Sequence, residues 1–313
     1  MGWRCAAGIE FPAGTRLTLP MSDRESTARA RELGAELRKL RESTGWSAFD
    51  FASIVGWSNS KVSRVENGLR GITEIDVVRF AAYCRATKDE MEELLARCRE
   101  ALIPGYWVPA QLSSLVFHES TATSSVSYQP LVVPGLLQTA DYAAALMADK
   151  SMAAKDAAYL LEARMTRQEL LDRRQFGFFI HEQALRLPVG GDRLMNEQML
   201  KLVLLAEHPW ISIRIVPVAA GARSALGGEF VLFAFEDARP LLYLEHGPVS
   251  LFLEDRHYIE AYRGRLAGIA DVALDRGQSR EMLAAMASEF DRPEDTPDGP
   301  QMAKEQREQR TKW

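Results

Sequence analysis

Seven small polar or basic residues fall within ten positions in "SNSKVSRVEN", residues 58–67: Ser58, Asn59, Ser60, Lys61, Ser63, Arg64 and Asn67. Their side chains are short or forked hydrogen-bonding groups. An arginine such as Arg64 can fork to guanine O6 and N7, an asparagine such as Asn59 can bond adenine N6 and N7, and Lys61 offers a point charge to a phosphate. Val62 and Val65 interrupt the polar run three positions apart, the spacing of one apolar helix face. A helix divided this way buries the valines and turns Asn59, Ser60, Lys61, Ser63 and Arg64 outward, with no bulky apolar residue among them. Such a face can enter a major groove about 12 Å wide.

Other constellations carry less. "HEQAL" at 181–185 has Leu185 where a zinc-binding HExxH helix needs its second histidine. The chain contains no GxSxG, GxGxxG or Walker loop, and its five histidines are scattered. His246 and His257 flank Glu254 and Asp255 in what reads as a solvated turn. No metal or cofactor is expected, and the chain does not read as an enzyme. Arg164, Arg167, Arg173 and Arg174 alternate with Glu162, Glu169 and Asp172, which reads as a solvated helix face; the alternative is a seat for an anionic ligand or partner. Trp107, Leu136, Leu137 and Tyr142 read as core, with a dimer seam as the alternative.

The polar face needs elements to hold it. Residues 26–102 repeat a helical apolar period five times: Leu33, Leu37 and Leu40; Phe51, Ala52 and Val55; Val62, Val65 and Leu69; Ile75, Val78 and Ala82; and Met91 to Leu102. Ser47 with Asp50, Ser58, and Thr73 with Asp76 are helix-start signals, and Gly45, Gly56, Gly68 and Gly71 punctuate the ends. Ala52 is small where two helices must approach, and Gly56 sits in the turn between them. This predicts an all-α domain of five helices with a helix-turn-helix, over residues 23–103. From 104 to 290 the pattern becomes α+β. Strands are predicted at "SSVSYQP", "FGFFIH", "ISIRIVPV", "EFVLFAF", "LLYLEH" and "VSLFL", and short links among the last of them predict a mostly antiparallel sheet. Residues 1–22 read as a flexible extension, with Met21 an alternative start to Met1. Residues 291–313, rich in Pro and charge, read as a disordered tail.

With 313 residues, 47% hydrophobic, the chain is long enough for two cores. Three cysteines without a CxxC pair fit a reducing compartment. No run approaches the ~20 apolar residues of a membrane span, so no membrane association is expected and the expected location is cytoplasmic, with the nucleoid. The net charge is −5, yet residues 38–70 hold six basic residues against three acidic ones. The excess falls in the region of the polar helix.

A stretch of about 60 residues, with "LGAELRKLRESTGWS" as its first helix and then Ala52, Gly56, Ser58, Val62, Ser63, Arg64, Val65 and "ENG" at 66–68, closely resembles the phage-repressor-like XRE class of helix-turn-helix regulators. The resemblance implies base reading by Asn59, Ser60 and Arg64, and phosphate contacts from Ser58, Lys61 and Asn67. One departure is Ala48, where the class commonly has a phosphate-contacting glutamine. Further along, "VVPGLLQTADYAAALM", "ARMTRQELL", "HEQALRLPVGG", "MNEQMLKL", "IRIVP" and "YLEH" resemble actinobacterial XRE regulators of the WhiJ type, whose large C-terminal domain is poorly characterised. That resemblance implies a transcriptional regulator, often encoded beside a small partner protein. Polar residues inside those motifs, Gln138, Arg164, Arg167, Gln168 and Glu182, are the candidate ligand or partner site. The expected function is repression by a homodimer on a palindromic or pseudo-palindromic operator in double-stranded DNA, with the C-terminal domain dimerising and sensing a partner protein or small-molecule effector. Two other readings remain: an antitoxin-like protein that mainly neutralises a small partner, and an enzyme fused to a DNA-binding head.

Overall fold

A computed structural model describes residues 26–69, 71–101, 106–109, 112–148, 154–172, 174–224, 228–246 and 249–291. The expectations for 1–22 and, beyond Asp291, for the tail lie outside these residues, as do those for Arg173.

The N-terminal part contains five helices: α1 (Ala28–Ser43), α2 (Ala48–Val55), α3 (Asn59–Glu66), α4 (Glu74–Tyr83) and α5 (Lys88–Glu100). Each begins on a hydroxyl that accepts a hydrogen bond from an amide in the first turn: Thr27, Ser47, Ser58, Thr73 and Thr87. Each such cap contributes about 1 kcal/mol. The helices enclose one core built from Leu33, Leu37, Phe51, Val55, Val62, Val65, Phe80 and Leu94. The fourth apolar stripe is displaced from its expected position. Val77, Phe80 and Ala81 face the core, while Ile75 and Val78 are exposed. Phe80 packs on Phe51 at 4.3 Å between centroids, and this anchor sets the rotation of α4.

The larger part runs β1 (Tyr106–Pro109), α6 (Leu112–Thr121), β2 (Ser124–Gln129), a 3-10 turn at Gly135–Leu137, α7 (Ala140–Ala148), α8 (Ala154–Arg167), β3 (Gln175–His181), α9 (Glu182–Arg186) and α10 (Asp192–Leu205). It continues with β4 (Ile211–Val216), β5 (Phe230–Ala234), β6 (Leu241–His246), β7 (Val249–Leu253), α11 (Arg256–Val272) and α12 (Arg276–Phe290). The strands form one sheet in the order β1-β7-β6-β5-β2-β3-β4.

The sheet is mixed, which corrects the expectation of a mostly antiparallel one. β1 through β2 pair antiparallel, but β2-β3 and β3-β4 are parallel. The reason is topological. The segments between β2, β3 and β4 carry helices, and a helical crossover returns the chain in the same direction. β1, α6 and the short α9 were also not expected, so the larger domain holds more helices than its periodicity predicts.

Alternation along the strands splits the core between two faces. Val126, Tyr128, Phe179, Leu232 and Leu242 pack against Ile259, Leu266 and Ile269 of α11. On the other face, Phe176, Phe178, Ile180 and Ile213 pack under α10 and α12 through Met195, Met199, Leu283 and Met286. That second face continues as Phe233, Leu241, Tyr243 and Phe252, covered by Leu115 of α6 and by Ala28 of α1.

Ala28 therefore joins the two parts. Its amide donates to Glu254 Oε2 at 2.6 Å, and the Arg31 guanidinium donates to Glu254 Oε1 at 3.4 Å. Glu254 is 4% exposed, which corrects its reading as part of a solvated turn. Asp255, His246 and His257 are exposed as the turn reading expects, and Asp255 caps α11 through the His257 amide. Beside this contact His118 of α6, fully buried, donates Nε2–H to Glu32 Oε1 of α1 at 3.0 Å.

Candidate nucleic-acid interface

α3 is held from three sides. The Ser58 hydroxyl accepts from the Lys61 amide at 3.1 Å and starts the helix. Gly56 ends α2 in the left-handed conformation, φ 70°, which a glycine adopts without steric cost. Val62 and Val65 are 0% and 2% exposed, and each contributes roughly 1.5–3 kcal/mol by burial. At the far end Glu66 is buried and forked by Arg41, with Nε to Oε1 at 2.6 Å and Nη2 to Oε2 at 3.0 Å. Gly34 of α1 lies against this end; a Cβ there would sit 2.6 Å from the Val65 carbonyl oxygen and 2.7 Å from that of Glu66.

The outer face carries Asn59, Ser60, Ser63 and Arg64, all exposed. Arg64 rests along its own helix, Nε donating to the Ser60 carbonyl at 3.2 Å. Asn67 donates to the Ser63 carbonyl at 2.8 Å and accepts from Arg38 Nη2 at 2.7 Å. Lys61 differs from the others. Its ammonium pairs with Asp76 of α4 at 3.0 Å and lies 3.8 Å over the Trp57 ring. Sequence reasoning gave no role to Asp76 beyond helix capping and none to Arg38. The available signal was Asp76 in the first turn of the next helix, where an acid is favoured by the helix dipole.

In the larger domain the structure brings three of the five candidate polar residues, Gln138, Arg164 and Gln168, together around the 3-10 turn. Gln138 donates to the Val133 carbonyl at 2.7 Å and accepts at Oε1 from Arg164 Nη1 at 2.7 Å. Gln168 donates to the Gln138 carbonyl at 2.7 Å. Arg167 forks Glu119 of α6 at 2.6 and 2.7 Å. Arg164 and Arg167 are half-buried, and Arg174 donates to the Ser120 and Ala122 carbonyls. The solvated-face reading of these arginines is thereby corrected. Glu182 is engaged elsewhere, by Arg186 at 2.7 Å and the Val218 amide at 2.9 Å. Lys201 and Gln198 of α10 also reach the turn, at the Gln138 and Leu137 carbonyls, and were not anticipated.

Among the described residues no group of three or more His, Cys, Asp or Glu side chains is placed to hold a metal ion, and no helix is long and apolar enough to cross a membrane. Residues 112–285, more than half of the chain, match the family model described as a domain of unknown function, DUF5753. The chain belongs to the DUF5753 family. Residues 32–94 of this DUF5753 protein match a helix-turn-helix domain model, whose span contains α2 and α3 whole. No curated protein matches. Among solved structures, the restriction-modification controller protein C.AhdI from Aeromonas hydrophila aligns with 28% identity over 20% of this chain and 93% of that one, with a TM-score of 0.20. The DUF5753 protein thus joins a DNA-binding helix-turn-helix domain of the transcription-regulator kind to an α+β domain.

Proposed function

We propose that this chain is a sequence-specific transcriptional repressor of the WhiJ type, acting as a homodimer on a palindromic or pseudo-palindromic operator and located with the nucleoid. The observation that carries the reading is the outer face of α3, where Asn59, Ser60, Ser63 and Arg64 stand exposed on a helix whose inner face is locked by Val62, Val65 and Glu66. Asn59, Ser60 and Arg64 read bases; Ser58, Lys61 and Asn67 meet phosphates. Residues 104–290 form the regulatory domain. A partner protein or small effector bound there favours one arrangement of the two reading heads and so changes the population able to bind DNA.

Chromatin immunoprecipitation with sequencing tests the reading. The enriched sites should share two half-sites related by a dyad, about one helical turn (~34 Å) apart. Enrichment without a common motif, or of single half-sites only, would contradict it.

A further inference from the structure

α8 carries two arginines one turn apart, and only one of them is ion-paired with a carboxylate. Arg167 is neutralised by its fork to Glu119. Arg164, one turn earlier, donates from Nη1 to Gln138 Oε1 at 2.7 Å. Among the described residues no carboxylate lies within ion-pair distance of it. A guanidinium has five N–H donors, so most of this fork is unused. Burial and the neighbouring Arg167 both disfavour the charge on Arg164, and Glu245 offsets them only in part. Glu245 itself accepts from the Tyr243 hydroxyl at 2.8 Å.

A second cation also meets Gln138. Lys201 Nζ donates to the Gln138 carbonyl at 2.8 Å and to Gln168 Oε1 at 2.7 Å, both neutral acceptors. Burial pushes its pKa down. Removing cations from water without a counter-charge is costly, and it is tolerated where an anion completes the site.

We propose that Arg164, backed by Lys201 and Gln138, is the anion seat of an effector site, which takes a small molecule through one carboxylate or phosphate group. The proposal deepens the regulatory role assigned to this domain and rests on it.

The test uses the full-length chain without DNA. Inorganic phosphate and benzoate are titrated separately by calorimetry, at an ionic strength held constant with sodium chloride. At least one should bind saturably, and which one does identifies the anion type. Arg164→Gln should weaken that binding by about tenfold or more, the scale of a lost charge-assisted hydrogen bond. Lys88→Ala, at an exposed lysine of α5, should leave it unchanged. If Arg164→Gln does not fold, Arg164→Lys carries the test, since it keeps the charge and loses the planar fork, and should also weaken binding. No saturable binding of either probe, or undiminished binding in the folded Arg164 variants, overturns the seat. Operator affinity is then measured with and without saturating probe at the same ionic strength. An unchanged operator affinity alongside intact anion binding would overturn the effector role and leave the seat standing.

Discussion

Lys61 and Arg64 stand three positions apart on α3, yet they meet DNA from different starting points. Arg64 is exposed and free to fork to a guanine, so Arg64→Ala should cost roughly 1–3 kcal/mol on the operator and relax specificity at one position. Lys61 must first leave Asp76, an exchange worth at most about 1 kcal/mol for a partly exposed pair. Lys61→Ala should therefore weaken all sequences about equally and lower the salt slope by about 1. Asp76→Asn should strengthen all sequences by a few-fold, because it releases the ammonium and removes a negative charge near the DNA. Fluorescence anisotropy on operator and random duplexes separates the three variants; a specificity change in Lys61→Ala would reverse the assignment. At the buried joint, burial lowers the pKa of His118, outweighing its hydrogen bond to Glu32. The unfolded chain then takes a proton first, so stability is lost as pH falls through the ordinary histidine value of about 6.5 toward the lowered one. The Glu254 carboxyl is pushed up by burial and acts with the opposite sign at lower pH, the folded chain holding that proton more tightly. Urea titrations between pH 7.5 and 5 should show the His118 loss in the parent and a flatter profile in His118→Gln. Parallel profiles would mean that another group controls the pH dependence.

At the scale of elements, α3 depends on how closely α1 can approach its end. Gly34 leaves room for the Val65 and Glu66 carbonyl oxygens, and a methyl group there would overlap both. Gly34→Ala should lower stability by about 1–3 kcal/mol, as overpacking does, and displace α3 enough to weaken operator binding. A folded Gly34→Ala chain with parental stability and affinity would show that the helices can separate without consequence. Much of this arrangement was legible in the residues. Period-three valines, hydroxyl caps and Gly56 are local signals, and local signals survive in sequence. The strands β2 to β7 were legible for the same reason, as runs of β-branched and aromatic residues. Their mixed pairing was not, because direction depends on which distant strand each one meets. Likewise nothing near Ile75 shows that Phe51 will claim Phe80 and turn α4 by a notch. The arginines of α8 looked like a solvated face because Glu119, which buries Arg167, lies 48 residues away.

At the scale of the whole molecule, the helical domain has its own core and caps, and a fragment of residues 22–103 should fold. It should melt below the full chain, because it lacks Glu254 and the aromatic bed of Ala28, leaving the first turn of α1 uncovered. It should also bind the operator much more weakly, since tethering two heads at the correct spacing is the task proposed for the larger domain. Circular dichroism and anisotropy on fragment and full chain at fixed salt measure both. Equal affinity would assign dimerisation to the helices alone, or make a monomer sufficient.

The contact of Ala28 and Arg31 with Glu254 also bears on modularity. In the order of the chain the seam between the two parts falls after α5, but in space part of the α+β domain's surface is supplied by the first turn of α1. A chimera cut only at the linker would place a foreign helix over Phe233 and Phe252 and leave Glu254 buried without its amide. Exchanging DNA specificity between such proteins is therefore better done by rewriting the outer positions of α3 than by transplanting the head.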